Sequence, residues 1–193
     1  MATSGPNQST SVSEFDDGWT AWTNDANAVA DDDSYATCTP FVGEGTAFTN
    51  FLDFVGFGTF TGIGSGDAVT DVQVEIACKK AGDSTVTFYS VQLIVGGSVV
   101  GNVLAPSQAV GSSEAYVSFS DDVGAGGFNY AGLVGSDVNS GTFGVRVQFD
   151  AQFEVLDPTI SVDACRITLT YTAGGGGGSL PVFVHHYRQM GIM

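Results

Sequence analysis

Clustered carboxylates are the first residues in this chain whose type and spacing could do chemistry: Asp31-Asp32-Asp33, with Asp16-Asp17 and Asp121-Asp122 as shorter versions. A hard cation such as calcium accepts such oxygens, but an EF-hand loop alternates its acidic ligands along the chain, whereas these run consecutively. They read as solvated acidic loops. No cofactor is expected, with calcium at Asp31, Asp32 and Asp33 as the alternative. His185-His186 invites a metal reading too, yet neighbours on an extended segment point to opposite faces and no third ligand stands at a suitable spacing. The pair is assigned to surface hydrogen bonds at an interface. Trp19 and Trp22 lie three apart, and exposed tryptophans could stack on sugar rings; core packing is expected for at least one of them.

Other signals are poor in chemistry. Gly56-Phe57-Gly58 and Gly62-Ile63-Gly64-Ser65-Gly66 lack the following helix and the lysine that a phosphate-binding loop needs, so they are turns. No Gly-x-Ser-x-Gly elbow leads into a helix, and a hydrolase is not expected. Cys38, Cys78 and Cys165 are an odd number at wide spacings, and Cys78 and Cys165 sit among strand residues. They read as buried thiols acting as small hydrophobes rather than as a disulfide or a metal site.

The elements that must carry these residues show period two. In Asp71 to Cys78, Val72, Val74, Ile76 and Cys78 face one way and Asp71, Gln73 and Glu75 the other. The same alternation recurs at Phe143, Val145, Val147 and Phe149, at Cys165, Ile167, Leu169 and Tyr171, and over Ala115 to Phe119. From Thr85 to Val95 the apolar phase shifts from Val86 and Phe88 to Val91, Leu93 and Val95, which predicts a bulge near Tyr89 or Ser90. Glycine turns separate these runs, and no window carries a helical apolar stripe; a short helical turn is expected near Asp25 to Ala30. Strands without helical crossovers predict an all-β fold, an antiparallel jelly-roll-like sandwich. Phe48, Phe51, Phe54, Phe57 and Phe60 recur every third residue, a spacing foreign to strand and helix alike, so some are assigned to the core and some to a subunit contact.

The length of 193 residues suits one domain, and 43% hydrophobic against 13% charged residues predicts a folded one. A formal charge of -16 argues against nucleic acid and against anionic membrane surfaces as partners. No apolar run is long enough to span a bilayer, and Met1 to Thr10 does not read as a signal peptide. Residues 1–14 are expected to be a polar N-terminal arm, 15–173 the sandwich, 174–178 a glycine linker and 179–193 a docking tail. The tail is chemically distinct: residues 1–178 hold four Lys+Arg and 21 Asp+Glu, net -17, while 179–193 hold Arg188, no acid and both histidines. Its Leu180, Val182, Phe183, Val184, Tyr187, Met190, Ile192 and Met193, with Arg188, are the candidate interface, since a flexible spacer gives an apolar peptide the slack to reach a neighbouring chain.

Several segments carry a resemblance: Trp22-Thr23-Asn24-Asp25-Ala26-Asn27-Ala28, Asp31-Asp32-Asp33-Ser34-Tyr35-Ala36, the run Phe51 to Phe60 around Gly56-Phe57-Gly58, Val69 to Ile76, and Arg166 to Tyr171. Over residues 19–172 the chain resembles a sandwich domain found in virion proteins of tailed bacteriophages. That resemblance implies a structural protein without catalytic residues, made in the host cytoplasm and built into the virion. Taken with the tail, it leads to the expectation of a non-enzymatic capsid decoration or cement subunit, a homo-oligomer such as a trimer, docking on a major capsid protein or on tail components. The alternative is a glycan-binding, receptor-binding module of a phage tail fibre or of a secreted protein, using Trp19 and Trp22.

Overall fold

The computed structural model describes residues 1–41, 45–104, 107–122, 127–128, 130–152 and 157–174. The alternating runs become strands, and among the described residues they are β1 (Ala2–Gln8), β2 (Ser11–Phe15), β3 (Ala36–Cys38), β4 (Thr46–Phe48), β5 (Phe51–Val55), β6 (Ala68–Ala81), β7 (Thr85–Val95), β8 (Ser98–Leu104), β9 (Ala115–Asp122), β10 (Gly144–Gln152) and β11 (Thr159–Thr172). One sheet runs β1-β11-β6-β9 with β3 also on β11; the other runs β2-β5-β10-β7-β8 with β4 also on β10. Every pairing between these strands is antiparallel. The fold is the expected jelly-roll-like all-β sandwich, and its helical content among the described residues is a 3-10 turn at Asp25–Val29 and a single α-turn at Gly135–Val138.

The core lies where the inward phases of the two sheets meet. Val72, Val74 and Ile76 of β6, and Ile160, Val162, Cys165, Ile167 and Leu169 of β11, face Val145, Val147, Phe149 and Ala151 of β10 and Val86, Phe88, Val91 and Leu93 of β7; all are buried. Aromatic rings tie the layers together: Phe88 lies 4.7 Å from Phe119 of the opposite sheet and 4.5 Å from Phe149 beside it. The predicted bulge is present, because Gln148 pairs with Ser90 while Phe149 pairs with Phe88, leaving Tyr89 unmatched. That extra residue restores the inward phase of β7 and turns Tyr89 outward, where it is 48% exposed.

The expected arm is the main correction. Residues 1–14 are not free: β1 pairs with β11 as an edge of one sheet and β2 pairs with β5 as an edge of the other. The chain crosses between the layers at Ser9 and Thr10, whose amides donate to Cys165 O at 3.0 Å and Val55 O at 3.3 Å. A ladder is made by backbone groups, so a polar segment can serve as an edge strand where one face meets solvent. Gly5 and Pro6 fall between the paired Ser4 and Asn7, an interruption that suits a residue without an amide hydrogen. Gly5 has φ +112°, and a Cβ there would lie 2.5 Å from Ile167 O, so only glycine fits. Deleting residues 1–9 is expected to strip β11 of its edge partner and lower Tm by about 10 °C, at about 2–4 °C per kcal/mol for a domain of this size. An unchanged melting curve would show that β1 is dispensable to the fold.

Candidate functional site

Because β10 turns Val145, Val147, Phe149 and Ala151 inward, its other residues, Arg146, Gln148 and Asp150, must face out from the centre of the six-stranded sheet. The neighbouring strands add outward aromatics. Phe15 stands opposite Phe51 across β2 and β5, with ring centroids 6.3 Å apart. Phe48 stands opposite Asp150 on β10, and its ring lies 4.7 Å from Tyr89 and 4.8 Å from Trp19. Trp19, Phe48 and Tyr89 thus make a continuous row of rings, with Trp19 50% and Tyr89 48% exposed, and Phe15 is 47% exposed beside the half-buried Phe51.

Asn50, 2% exposed, holds this face in shape. Its Oδ1 accepts the Trp19 amide at 2.9 Å, its Nδ2 donates to Glu14 Oε1 at 2.6 Å and Asp16 Oδ1 at 3.2 Å, and its carbonyl accepts the indole N–H of Trp22 at 2.8 Å. The side-chain oxygen and nitrogen of Asn50, with its main-chain carbonyl, thus tie Glu14 of β2 and the segment 16–22 together. Gln148 anchors the same loop from below, donating to Thr49 O at 2.8 Å and Asp17 Oδ2 at 3.0 Å. The two tryptophans therefore separate. Trp19 presents its ring, whereas Trp22 is 6% exposed and packs edge-on against Phe149, which leaves it no face for a ligand.

The polar groups between the rings are acidic or already paired. Arg146 donates through Nε and Nη2 to both oxygens of Asp53, each at 2.7 Å, and its guanidinium lies 4.0 Å from the centre of the Phe15 ring. Thr87 donates to the carboxylate of Asp150. Asp16 and Asp17 are exposed at the end of the ring row.

A second cluster sits outside the five-stranded sheet. Asp163 occupies a bulge in β11, between Val162 and Ala164, and is wholly buried under the 31–33 loop. Its two oxygens accept the amides of Asp32 at 3.5 Å and Asp33 at 3.3 Å. Carboxylate oxygens of Asp31, Glu114 and Asp163 all lie within 4.8 Å of one another, a group whose donors would suit a hard cation. The acidic run is divided among partners: Asp31 accepts the Tyr116 hydroxyl at 2.8 Å, Asp32 accepts the Ser34 amide at 3.0 Å, and Asp33 accepts the Tyr35 hydroxyl at 3.0 Å. Tyr35 also donates to Glu114, and Lys79 lies 3.7 Å from both that carboxylate and the centre of the Tyr35 ring. The hydrogen bond to Glu114 chiefly raises the Tyr35 hydroxyl, and burial followed by the bond to Asp31 pushes Tyr116 up to about 12.

The three cysteines are free and buried, as the strand pattern implied. Burial pushes the Cys38 and Cys78 thiols up to about 12 and raises Cys165 as well, so all three stay protonated and poor as nucleophiles. The tail residues Leu180, Val182, Phe183, Val184, Tyr187, Arg188, Met190, Ile192 and Met193, with the histidine pair, lie outside the described residues. Sequence reading missed Asn50 and Gln148. The signal available for them was a polar residue set in an apolar strand context, Asn50 between Phe48 and Phe51 and Gln148 between Val147 and Phe149.

No family model matches this chain, and no curated protein matches it. Similar solved structures include the tailspike protein 4 enzymatically active domain of bacteriophage CBA120, at 14% identity and a TM-score of 0.40 over 85% of this chain. This chain spans about a fifth of that one, 19%. A CBM4 structure is similar at 15% identity and a TM-score of 0.34, over 74% of this chain and 87% of the other. The N-terminal cellulose-binding domain of Cellulomonas fimi β-1,4-glucanase C is similar at 12% identity and a TM-score of 0.36, over 89% and 93%. Likeness at this level carries no argument about ligand or activity, which must come from the side chains of this chain.

The buried carboxylate of Asp163 makes stability depend on pH. Desolvation outweighs the two amide hydrogen bonds and, with the charges of Glu114 and Asp31, pushes its pKa up to about 6. A carboxyl raised in the folded state favours folding while protonated, below the unfolded value near about 3.9, and that contribution is lost as pH rises toward 6. The loss is at most about 3 kcal/mol, from about two pKa units. Urea unfolding of Asp163→Asn against wild type at pH 4 and pH 7 is expected to show the variant gaining relative stability at the higher pH. A stability difference between the two proteins that does not change between pH 4 and pH 7 would contradict this electrostatic account.

Proposed function

We propose that this chain is a non-enzymatic glycan-binding module, of the kind a phage tail fibre or a secreted protein uses to hold a surface or a polysaccharide, and that the row Trp19-Phe48-Tyr89 is its contact. One observation carries the proposal: Trp19 and Tyr89 each pack on Phe48 to make a row of three rings on the outer face of a sheet, two of them half exposed, with carboxylates at their margins. A pyranose offers an apolar C–H face and a rim of hydroxyls, which such a surface complements by stacking and by accepting hydrogen bonds. A protein interface would favour a more continuous apolar centre, and here Gln92, Asp150 and Asp17 break the apolar surface up.

The decoration reading rests on the resemblance to virion sandwich domains and on residues 179–193, which lie outside the described residues; the aromatic face favours the glycan reading. No helix among the described residues is long and apolar enough to cross a membrane.

A glycan array is expected to show selective binding by the full chain. Trp19→Ala and Tyr89→Ala should each weaken the best ligand by about tenfold or more, in the range of anchor residues at binding surfaces. Because both side chains are half exposed, Tm should move by only a few degrees. An array without a bound glycan, or affinity unchanged in both variants, would overturn the proposal.

A further inference from the structure

We infer that the ligand of this face is an electrically neutral saccharide, and that uronic, sialylated or sulfated chains are rejected; the inference rests on the glycan reading above. The chain has five Lys+Arg. Lys79 and Lys80 are on β6 and Arg166 is on β11, all in the five-stranded sheet, and Arg188 lies outside the described residues. Arg146 is the one cation placed on the outer face of the six-stranded sheet among the described residues, and it is not available. Both oxygens of Asp53 engage it, the Phe15 ring lies over its plane and the Phe51 ring stands 5.1 Å away, so an anion would have to displace a bidentate carboxylate from a site that is only 15% exposed.

The same face carries Asp16, Asp17, Asp53 and Asp150 against that single Arg146, and the whole chain adds a charge of -16. An acidic sugar would bring its charge toward fixed carboxylates without a partner, at a cost that salt lowers by screening. A neutral sugar meets no such cost. Asp17 and Asp150 each already accept one hydrogen bond, from Gln148 and Thr87, and a carboxylate oxygen has lone pairs left for a sugar hydroxyl. The arrangement therefore selects through donors on the ligand, which neutral hydroxyls supply. An amino sugar would also satisfy the carboxylates, and it enters the test as a separate arm.

Isothermal titration of the full chain with three oligosaccharide preparations of matched length tests this: neutral hexose oligomers, the same size range bearing uronic acids, and oligomers of glucosamine. The expected result is binding of a neutral oligomer with little dependence on ionic strength, and affinity for the acidic one lower by about tenfold or more, equivalent to about 1.4 kcal/mol or more, with part of the gap closing at high salt. Acidic oligomers that bind as well as neutral ones and lose affinity in Trp19→Ala would overturn the inference while leaving the glycan reading intact. Glucosamine oligomers binding most tightly, with affinity falling as salt rises, would also overturn it. Failure of all three preparations together with a blank array would instead refute the glycan reading itself.

Discussion

The two-faced nature of β10 is the constraint on which the rest of the structure depends. Its inward residues Val145, Val147, Phe149 and Ala151 are wholly buried, so a slip of one position would drive Arg146, Gln148 and Asp150 into the core and expose four apolar side chains. The core thereby fixes the outer face. Pairing with β5, β4 and β7 then sets Asp53 opposite Arg146, Phe48 opposite Asp150, and the bulged Tyr89 beside them. The candidate site is the outward half of the same alternation that builds the interior.

A close approach of backbones reinforces that register. A Cβ on Gly144, the first residue of β10, would lie 2.0 Å from Phe54 O, so the strand meets β5 at a contact that excludes any side chain. On the outer side, Asn50 and Gln148 convert a loop of small and acidic residues into a fixed support for Trp19. Both are 2% exposed and hydrogen-bonded, which is the condition under which buried polar groups add specificity rather than cost. The other sheet spends its polar groups differently, setting Asp163 in a bulge beneath main-chain amides, and the two faces differ accordingly: one offers rings, the other a self-satisfied acidic cluster.

Period-two patterning made β6, β7, β9, β10 and β11 legible, including the Tyr89 bulge, because each carries a buried face whose apolar phase is visible in one dimension. β1 and β2 were not legible, since composition reports burial of side chains whereas an edge strand is held by its ladder. The every-third phenylalanines resolve once the β4–β5 junction is known: both strands run antiparallel along β10, with Phe48 opposite Asp150 and Leu52 opposite Val147, so the register slips by one residue at Thr49-Asn50, and within β5 Phe51 and Phe54 fall three apart, hence on opposite faces. Phe54, Phe57 and Phe60 are core, and Phe48 and Phe51 are on the outer face. The different fates of Trp19 and Trp22 depend on Asn50, some thirty positions away. The grouping of Asp31 with Glu114 and Asp163 likewise depends on strand register, which local spacing does not reveal.

The chain has two tryptophans, so its two indole N–H resonances in a heteronuclear NMR spectrum report directly on the outer face. Titration with a neutral oligosaccharide should shift the Trp19 signal and leave that of Trp22, bonded to Asn50 O beneath the surface, nearly in place. A stationary Trp19 signal, with shifts confined to residues of the five-stranded sheet, would contradict the account.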